Sequence, residues 1–463
     1  VRGSKSACIR VRGSWSVQLR ALAILLLWCG AATAMETDKG NLTVVTSYPP
    51  SFFEPFQKAF SAREPSIQLT IVQRNTASAV RFIREKPDVP ADIFWASSAD
   101  AFEVLKQQGQ LRRTEPRPTG APNTVSGYPV NDPDGFYLGF ALSGYGFVYN
   151  PAYLAENRLP VPRTWSDLTL PIYSGHVGIS APSRSGTTHL IVEAILQTYG
   201  WDAGWALLSK LGGNLSTVTA RSFGVASGVA QRRFGVGITI DFLGSAPNFP
   251  PGSTKFVLPP DTVFVPASIA ILARSRNVAA AERFVDFALS QEGQELLLKP
   301  EINRIPVLPK FAGKTDRNSI ALHAGAGLLR GMRFDANFSA RRYQLVNLVF
   351  DEFIVRKRAA LARLWKQAAE LAAINDPGSE LAGALAEAVQ YLGRAPVPRE
   401  QAAGDNELAD LSDIPTGLPL PPEQAVFLDA VRTSVEHNLA EAERIMSQAS
   451  SKYTRPGFKP WRQ

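Results

Sequence analysis

An alternation of β-branched runs with helix-period segments, starting at residue 42, restricts the fold of this chain more than any other feature. Leu42-Thr43-Val44-Val45-Thr46 reads as a buried strand. Ser51 to Arg63 follows, with Phe52, Phe53, Phe56, Ala59 and Phe60 near helical spacing. The pattern then repeats. A strand is expected over Ile67 to Val72, and a helix over Thr76 to Lys86 with Val80, Phe82 and Ile83 as its apolar side. Another strand is expected over Ala91 to Ala96, and another helix over Ala99 to Gln108. Short strands separated by helices of this length predict a parallel sheet covered on both faces.

Two later stretches interrupt the alternation. Phe136 to Asn150, rich in Gly, Phe and Tyr, and Phe256 to Leu272, with Phe264-Val265-Pro266 in its middle, both read as extended. Between them lies a second α/β set. It has a strand near Val177 to Ile179, helices over Gly186 to Tyr199, Asp202 to Leu211 and Ser222 to Arg232, and a strand over Val236 to Ile240. A helix over Val278 to Leu298 then returns to the first unit. Two crossings between two α/β units predict a hinge and a cleft. The expected division is 41–140 plus 265–330 for lobe 1, 141–264 for lobe 2 and 331–463 for a helical C-terminal extension. Ligands in such folds sit at strand C-terminal ends and helix N-termini, where backbone N–H groups are free.

Residues 1–34 read as a secretory signal peptide. Arg2, Lys5, Arg10, Arg12 and Arg20 precede an apolar core, Ala21 to Trp28, that is far short of the roughly 20 residues of a bilayer span. Ala32-Thr33-Ala34 supplies a cleavage signal near Ala34, which predicts export of the product. Cleavage removes 34 of the 463 residues and leaves 429, enough for two or three domains. It removes five of the 49 basic residues and none of the 41 acidic ones, so the net charge falls from +8 to +3. A near-neutral product implies no nucleic-acid partner. Both cysteines, Cys8 and Cys29, leave as well, which excludes disulfides, thiol catalysis and cysteine metal sites. His176, His189, His323 and His437 are scattered, with no metal-ligand spacing. No cofactor is expected.

Five segments carry a family resemblance: Val44-Val45-Thr46-Ser47-Tyr48-Pro49, Ala91 to Ser98, Gly144-Tyr145-Gly146-Phe147-Val148-Tyr149-Asn150-Pro151, Pro182-Ser183-Arg184-Ser185-Gly186-Thr187-Thr188 and Gly237-Ile238-Thr239-Ile240-Asp241. In this order and spacing, over residues 41 to 310, the chain resembles the periplasmic solute-binding proteins of ABC importers. The nearest group is the type II class for ferric iron, phosphonates and phosphosugars. The resemblance implies an α/β fold, a two-lobed type II periplasmic binding protein clamshell with a helical C-terminal extension. It implies hinge closure on a solute, presentation to a membrane permease, and no reaction: not an enzyme. Arg341, Tyr343, Val346, Asn347, Phe350 and Asp351 lie in a part that resembles the longer members of the class, among them a regulator of phosphoglycerate transport. That likeness implies a membrane sensor kinase as the alternative partner.

The residues also suggest a ligand class. Ser185 is a natural N-cap, and Gly186 lets a ligand approach the backbone. The free N–H groups of that first turn, with the Thr187 and Thr188 hydroxyls, form an anion seat. His189 is a further donor. Ser47 ends the first strand, and Ser97 and Ser98 end the third. Arg221 and Ser222 stand before another helix start, where an arginine can grip phosphate or carboxylate in bidentate fashion. Asp241 ends the Val236 to Ile240 strand and is placed to accept from a ligand hydroxyl or ammonium. Ferric-binding members place adjacent tyrosines near this strand, which here reads Ile238-Thr239-Ile240-Asp241-Phe242. Hydroxyls and an arginine in their place point to a small organic anion, expected to be phosphorylated.

The expected function is therefore the solute-binding component of an importer, acting as a monomer. The alternative is a periplasmic sensor that regulates a transport system through a membrane kinase. The extension separates the two readings: it is either a helical layer on the first lobe or a surface for a sensor. No Gly-x-Ser-x-Gly elbow supports a hydrolase.

Overall fold

The computed structural model describes residues 40–115, 120–125, 127–245, 249–311, 334–374, 379–403 and 421–453. The expected signal peptide, residues 312–330 of the expected first lobe, and residues 331–333, 375–378, 404–420 and 454–463 of the expected extension lie outside them.

The expected alternation is present. It runs β1 (Asn41–Thr46), α1 (Pro50–Arg63), β2 (Gln68–Gln73), α2 (Thr76–Glu85), β3 (Ile93–Ala96) and α3 (Ala99–Gln107). β1 pairs in parallel with β2, from Asn41↔Gln68 to Thr46↔Gln73, and with β3 from Val44↔Ile93. Phe52, Phe56 and Phe60 form the buried face of α1, and Phe56 meets Trp95 edge-on with ring centroids 5.1 Å apart. Such edge-to-face pairs fix the helix on the sheet beyond simple area burial.

After a short hairpin, β4 (Thr124–Val125) and β5 (Tyr128–Pro129), the twelve-residue β6 (Leu138–Tyr149) carries the chain into the second lobe. That lobe holds α4 (Pro151–Glu156), β7 (Val177–Ser180), α5 (Gly186–Tyr199), α6 (Trp201–Gly213), β8 (Leu215–Thr219), α7 (Ser222–Ala230), β9 (Val236–Ile240) and β10 (Lys255–Val257). The chain returns through β11 (Phe264–Ile271) to α8 (Val278–Leu289), α9 (Gln291–Leu297) and β12 (Ile305–Pro306). One sheet of order β2-β1-β3-β11-β6-β9-β7-β8 joins both lobes, with β10 and β12 also on β6.

β6 changes partner in mid-strand. It pairs antiparallel with β11 up to Gly144↔Phe264, and antiparallel with β9 from Tyr145↔Ile240. A Cβ on Gly144 would stand 2.7 Å from the Leu258 and Phe264 side chains, so glycine permits this close crossing. The alternating strands β1, β2 and β3 are parallel, as expected, and the two crossing strands that interrupt the alternation make the sheet as a whole mixed. A chain that leaves the first lobe and returns to it lays down the two crossing strands in opposite senses. The expected single helix over Val278 to Leu298 is divided. Ser290 ends α8 and caps α9, accepting from the Gly293 N–H at 3.2 Å.

The extension comprises α10 (Ala336–Arg341), α11 (Tyr343–Phe350), a π-helical turn (Asp351–Val355), α12 (Arg358–Ala373), α13 (Glu380–Gly393), α14 (Arg399–Ala403) and α15 (Pro422–Tyr453). α12 and α13 pack on α6 of the second lobe. Trp365 Nε1 donates to Ser209 Oγ at 3.2 Å, Ser209 Oγ donates to the Leu392 carbonyl at 2.6 Å, and Trp201 Nε1 donates to the Val397 carbonyl at 2.7 Å. The layer expected on the first lobe thus rests chiefly on the second; α10 makes its contact with the first lobe, on α3. No helix among the described residues is long and apolar enough to cross a membrane.

Candidate functional site

The two lobes face each other across a cleft. The first lobe contributes Ser47, Tyr48, Pro49, Thr76 and Ser97; the second contributes Arg184 to Thr187, Arg221 to Phe223, Phe242 and Leu243. The free volume between them is about 30 Å³, room for about two waters, so the lobes are close to contact. No aspartate or glutamate is among the lining residues, while Arg184 and Arg221 are.

Helix N-termini converge on this space. Pro49 precedes α1, Thr76 opens α2, Gly186 opens α5 and Ser222 opens α7. Each helix N-terminus favours an anion by about 0.3–1 kcal/mol when exposed and more when partly buried. At α5, Ser185 Oγ accepts from the Thr188 N–H at 3.2 Å, as expected of an N-cap. The Gly186 and Thr187 N–H groups are first-turn donors with no intrahelical acceptor. A Cβ on Gly186 would lie 2.7 Å from both Ser98 Oγ and Thr76 Oγ1 of the opposite lobe. The glycine therefore lets the second lobe approach the first, a reason that the expected ligand approach did not include.

Arg221 is half-buried and donates from Nη2 to the Ser47 carbonyl across the cleft at 3.2 Å. Burial pushes its pKa down from the ordinary arginine value, yet a guanidinium stays cationic in proteins. Of the residues singled out in the sequence, Ser47, Ser97, Ser185, Gly186, Thr187, Arg221 and Ser222 come together in the lining. Four others do not. Ser98 is 1% exposed and donates to Asp100. Thr188 is fully buried behind the first turn of α5, its hydroxyl without a partner among the described residues. His189 is fully buried among Asp100, Ser339 and Asn347, on the face of α5 that meets the extension. Asp241 serves the hinge, accepting from the Gly144 N–H at 3.2 Å and the Phe242 N–H at 2.7 Å.

Sequence reasoning passed over Tyr48, Pro49, Thr76, Arg184, Phe223, Phe242 and Leu243 in the lining. Tyr48, Pro49 and Arg184 stood inside motifs already singled out, and Thr76 at a helix start. It also passed over Arg304, which lies behind the cleft wall and donates to Tyr48 and Ser97. Arg304 follows Asn303, whose φ is +49°, in a loop without periodicity.

Residues 88–319, half of the chain, match the family model of the bacterial extracellular solute-binding proteins. The phosphoglycerate transport regulatory protein PgtC of Salmonella typhimurium is 28% identical over 381 residues, covering 81% of this chain and 90% of its own. The periplasmic binding protein AfuA of Actinobacillus pleuropneumoniae, solved with fructose-6-phosphate, superposes with a TM-score of 0.58 at 21% identity, over 71% of this chain and 98% of that one. The substrate-binding protein of an ABC transporter from Agrobacterium tumefaciens gives 0.56 at 19% identity, over 68% and 95%. These two share the fold. Sheet topology, cleft and family match agree, and the chain belongs to the bacterial extracellular solute-binding proteins, with the two-lobed type II periplasmic fold of a protein that binds and does not catalyse.

Proposed function

We propose that this chain binds a small phosphorylated organic anion in the periplasm and reports it to a membrane partner, a sensor kinase, that regulates a transport system. The observation that carries the ligand class is the cleft lining: two arginines, several hydroxyls and converging helix N-termini, with no carboxylate. Hydrogen bonds to a charged group contribute about 1.5–3 kcal/mol each, so a few of them suffice for micromolar retention. Ferric iron is the competing cargo. The lining offers it one phenol, Tyr48, already engaged by Arg304, and no carboxylate, a poor set for a hard cation.

The regulatory output draws its support from the extension. AfuA is almost exhausted by its match, yet more than a quarter of this chain is left over. The match to PgtC spans 81% of this chain, too much for the clamshell alone. The second reading, delivery to an ABC permease, is favoured by the shared two-lobed fold. Under both readings the leader is cleaved near Ala34 and the mature chain acts as a monomer.

A thermal-shift series with 3-phosphoglycerate, fructose 6-phosphate and ferric ion tests the ligand. A ligand at 100 times its Kd adds about 2.7 kcal/mol. A response to ferric ion alone overturns the anion reading. Charge reversals on the exposed side of α15, placed in a host whose own copy is replaced, separate the two outputs. Loss of transcriptional response with uptake intact supports the sensor; loss of uptake supports the importer.

A further inference from the structure

Arg304 lies in the loop that enters β12 and is 1% exposed. Nη1 donates to the Tyr48 hydroxyl at 2.8 Å and to the Ser97 hydroxyl at 3.3 Å, and Nη2 donates to the Ser143 hydroxyl. Nε is buried with no partner among the described residues. The guanidinium lies 4.5 Å from the ring centroid of Phe242, 5.3 Å from Tyr48, 5.6 Å from Phe52 and 5.9 Å from Phe140. Its hydrogen-bond partners are thus neutral hydroxyls, and no carboxylate pairs with it among the described residues.

A buried arginine does not relieve its charge by deprotonating, and a charge out of water is costly unless paired. Hydroxyls and aromatic faces offset part of that cost. Two of the three residues that carry these hydroxyls, Tyr48 and Ser97, are among those that line the cleft. A hydroxyl that accepts from a guanidinium keeps its own proton to donate, and is a stronger donor for being polarised. The Tyr48 and Ser97 side chains also bond to each other, so one of their two hydroxyl protons is left to turn toward the cleft, on the lobe that faces Arg221.

We infer that Arg304 is a specificity-determining residue which, acting through Tyr48 and Ser97, makes the cleft select dianions over monoanions of the same shape. The inference rests on the anionic reading of the cleft. A phosphate monoester carries close to two charges at neutral pH, whereas a sulfate monoester carries one, so the pair separates charge from size.

The test is isothermal titration of the full mature chain at pH 7.5 with glycerol 3-phosphate and glycerol 3-sulfate. The native protein is expected to prefer the phosphate ester by about 10-fold or more, on the scale of a charged hydrogen bond. Arg304→Gln is expected to bring the two within about 3-fold while sulfate binding persists. Tyr48→Phe keeps the ring packing and removes the relaying hydroxyl; it is expected to lose most of the preference, and it carries the test if Arg304→Gln does not fold. An unchanged preference in a folded variant overturns the inference and leaves the anion reading standing, as does a native protein that binds both esters equally. A native protein that binds neither ester overturns the anion reading and this inference with it.

Discussion

His189 of the second lobe and Asp100 of the first face each other at 3.4 Å, Nε2 to Oδ2, with both side chains fully buried. The same imidazole meets Asn347 Oδ1 at 2.8 Å through Nδ1 and Ser339 Oγ at 3.3 Å through Nε2, and it stacks on Tyr343 with centroids 3.8 Å apart. Ser339 Oγ donates in turn to Asp100 Oδ2 at 3.2 Å. First lobe, second lobe and extension therefore meet at one ring. Separation of the lobes has to break this junction, which ties the state of the cleft to the seating of the extension.

Asn347→Ala removes the partner of His189 Nδ1 and leaves a buried polar atom unsatisfied. The expected loss is about 1–3 kcal/mol, read as a lowered urea midpoint with an unchanged denaturant slope. A drop below 0.5 kcal/mol would show that water replaces the amide and that the junction is not sealed.

Arg342 joins the extension to α5 in the same region. Its Nε and Nη2 donate to the Glu193 carboxylate, the closest contact being 2.6 Å, with 7% and 0% of the two side chains exposed. Breaking a buried pair by removing one partner costs about 3–5 kcal/mol, because a charge stays behind unpaired. Arg342→Ala is expected to fall in that range. Arg342→Met combined with Glu193→Leu should recover most of the loss. Chemical denaturation of the three variants forms the check, and a double variant no better than the single one would refute the account.

Removal of residues 335–463 follows a different course from that of a dispensable tail. Trp205, Leu208 and Leu211 of α6 are buried, and α12 and α13 pack on that helix. Truncation would uncover this face, and apolar patches of that kind drive association. The shortened chain is expected to be aggregated or strongly destabilised in size-exclusion chromatography. A monomeric truncation with a native melting temperature would contradict the packing described here.

The alternation of the first lobe was readable because a βαβ run is written in local periodicity. The antiparallel pairing of β6 with β11 was not, because Gly144 and Phe264 meet only through a chain reversal more than a hundred residues long. The same division holds at the cleft. Ser47, Ser97, Ser185, Gly186 and Ser222 sit at strand ends and helix starts, which local sequence marks. His189 lies one turn past the cap of α5, and what faces it is decided by Asn347, 158 residues away. Arg304 left no periodic signal, since its meaning comes from Tyr48 and Ser97 more than two hundred residues earlier.

Asp351, in the π-helical turn, carries a pH prediction. Burial pushes its carboxyl above the ordinary aspartate value; hydrogen bonding to Ser183 and the charge of Arg184 pull against that rise. A carboxyl raised in the native state binds protons more readily folded than unfolded. Its contribution is therefore most favourable in acid and falls as pH rises from the unfolded value through the native one. Asp351→Asn should gain stability relative to the native chain between pH 4 and pH 7. Urea midpoints across that range measure the gain, and a pH-independent difference would show that the carboxyl is not raised.

Gly186→Ala addresses closure itself. The added methyl would stand 2.7 Å from Ser98 Oγ and Thr76 Oγ1. Ser98 cannot give way freely, because its hydroxyl is held by Asp100, and Asp100 is tied to His189 and Ser339. Alanine is a better helix former than glycine, so the substitution brings no helix-propensity penalty to the start of α5. The substitution acts on the gap between lobes and leaves the core of each lobe intact. The expected outcome is a lowered melting temperature even in the absence of ligand, because the lobes make room for the methyl only by loosening the Asp100–His189 junction. Ligand affinity should be weaker by about 10-fold or more, the cost of about 1.4 kcal/mol in a displaced closure equilibrium. Small-angle scattering with saturating ligand should show a larger radius of gyration than the native protein. Unchanged affinity and radius would mean that the lobes close without this contact.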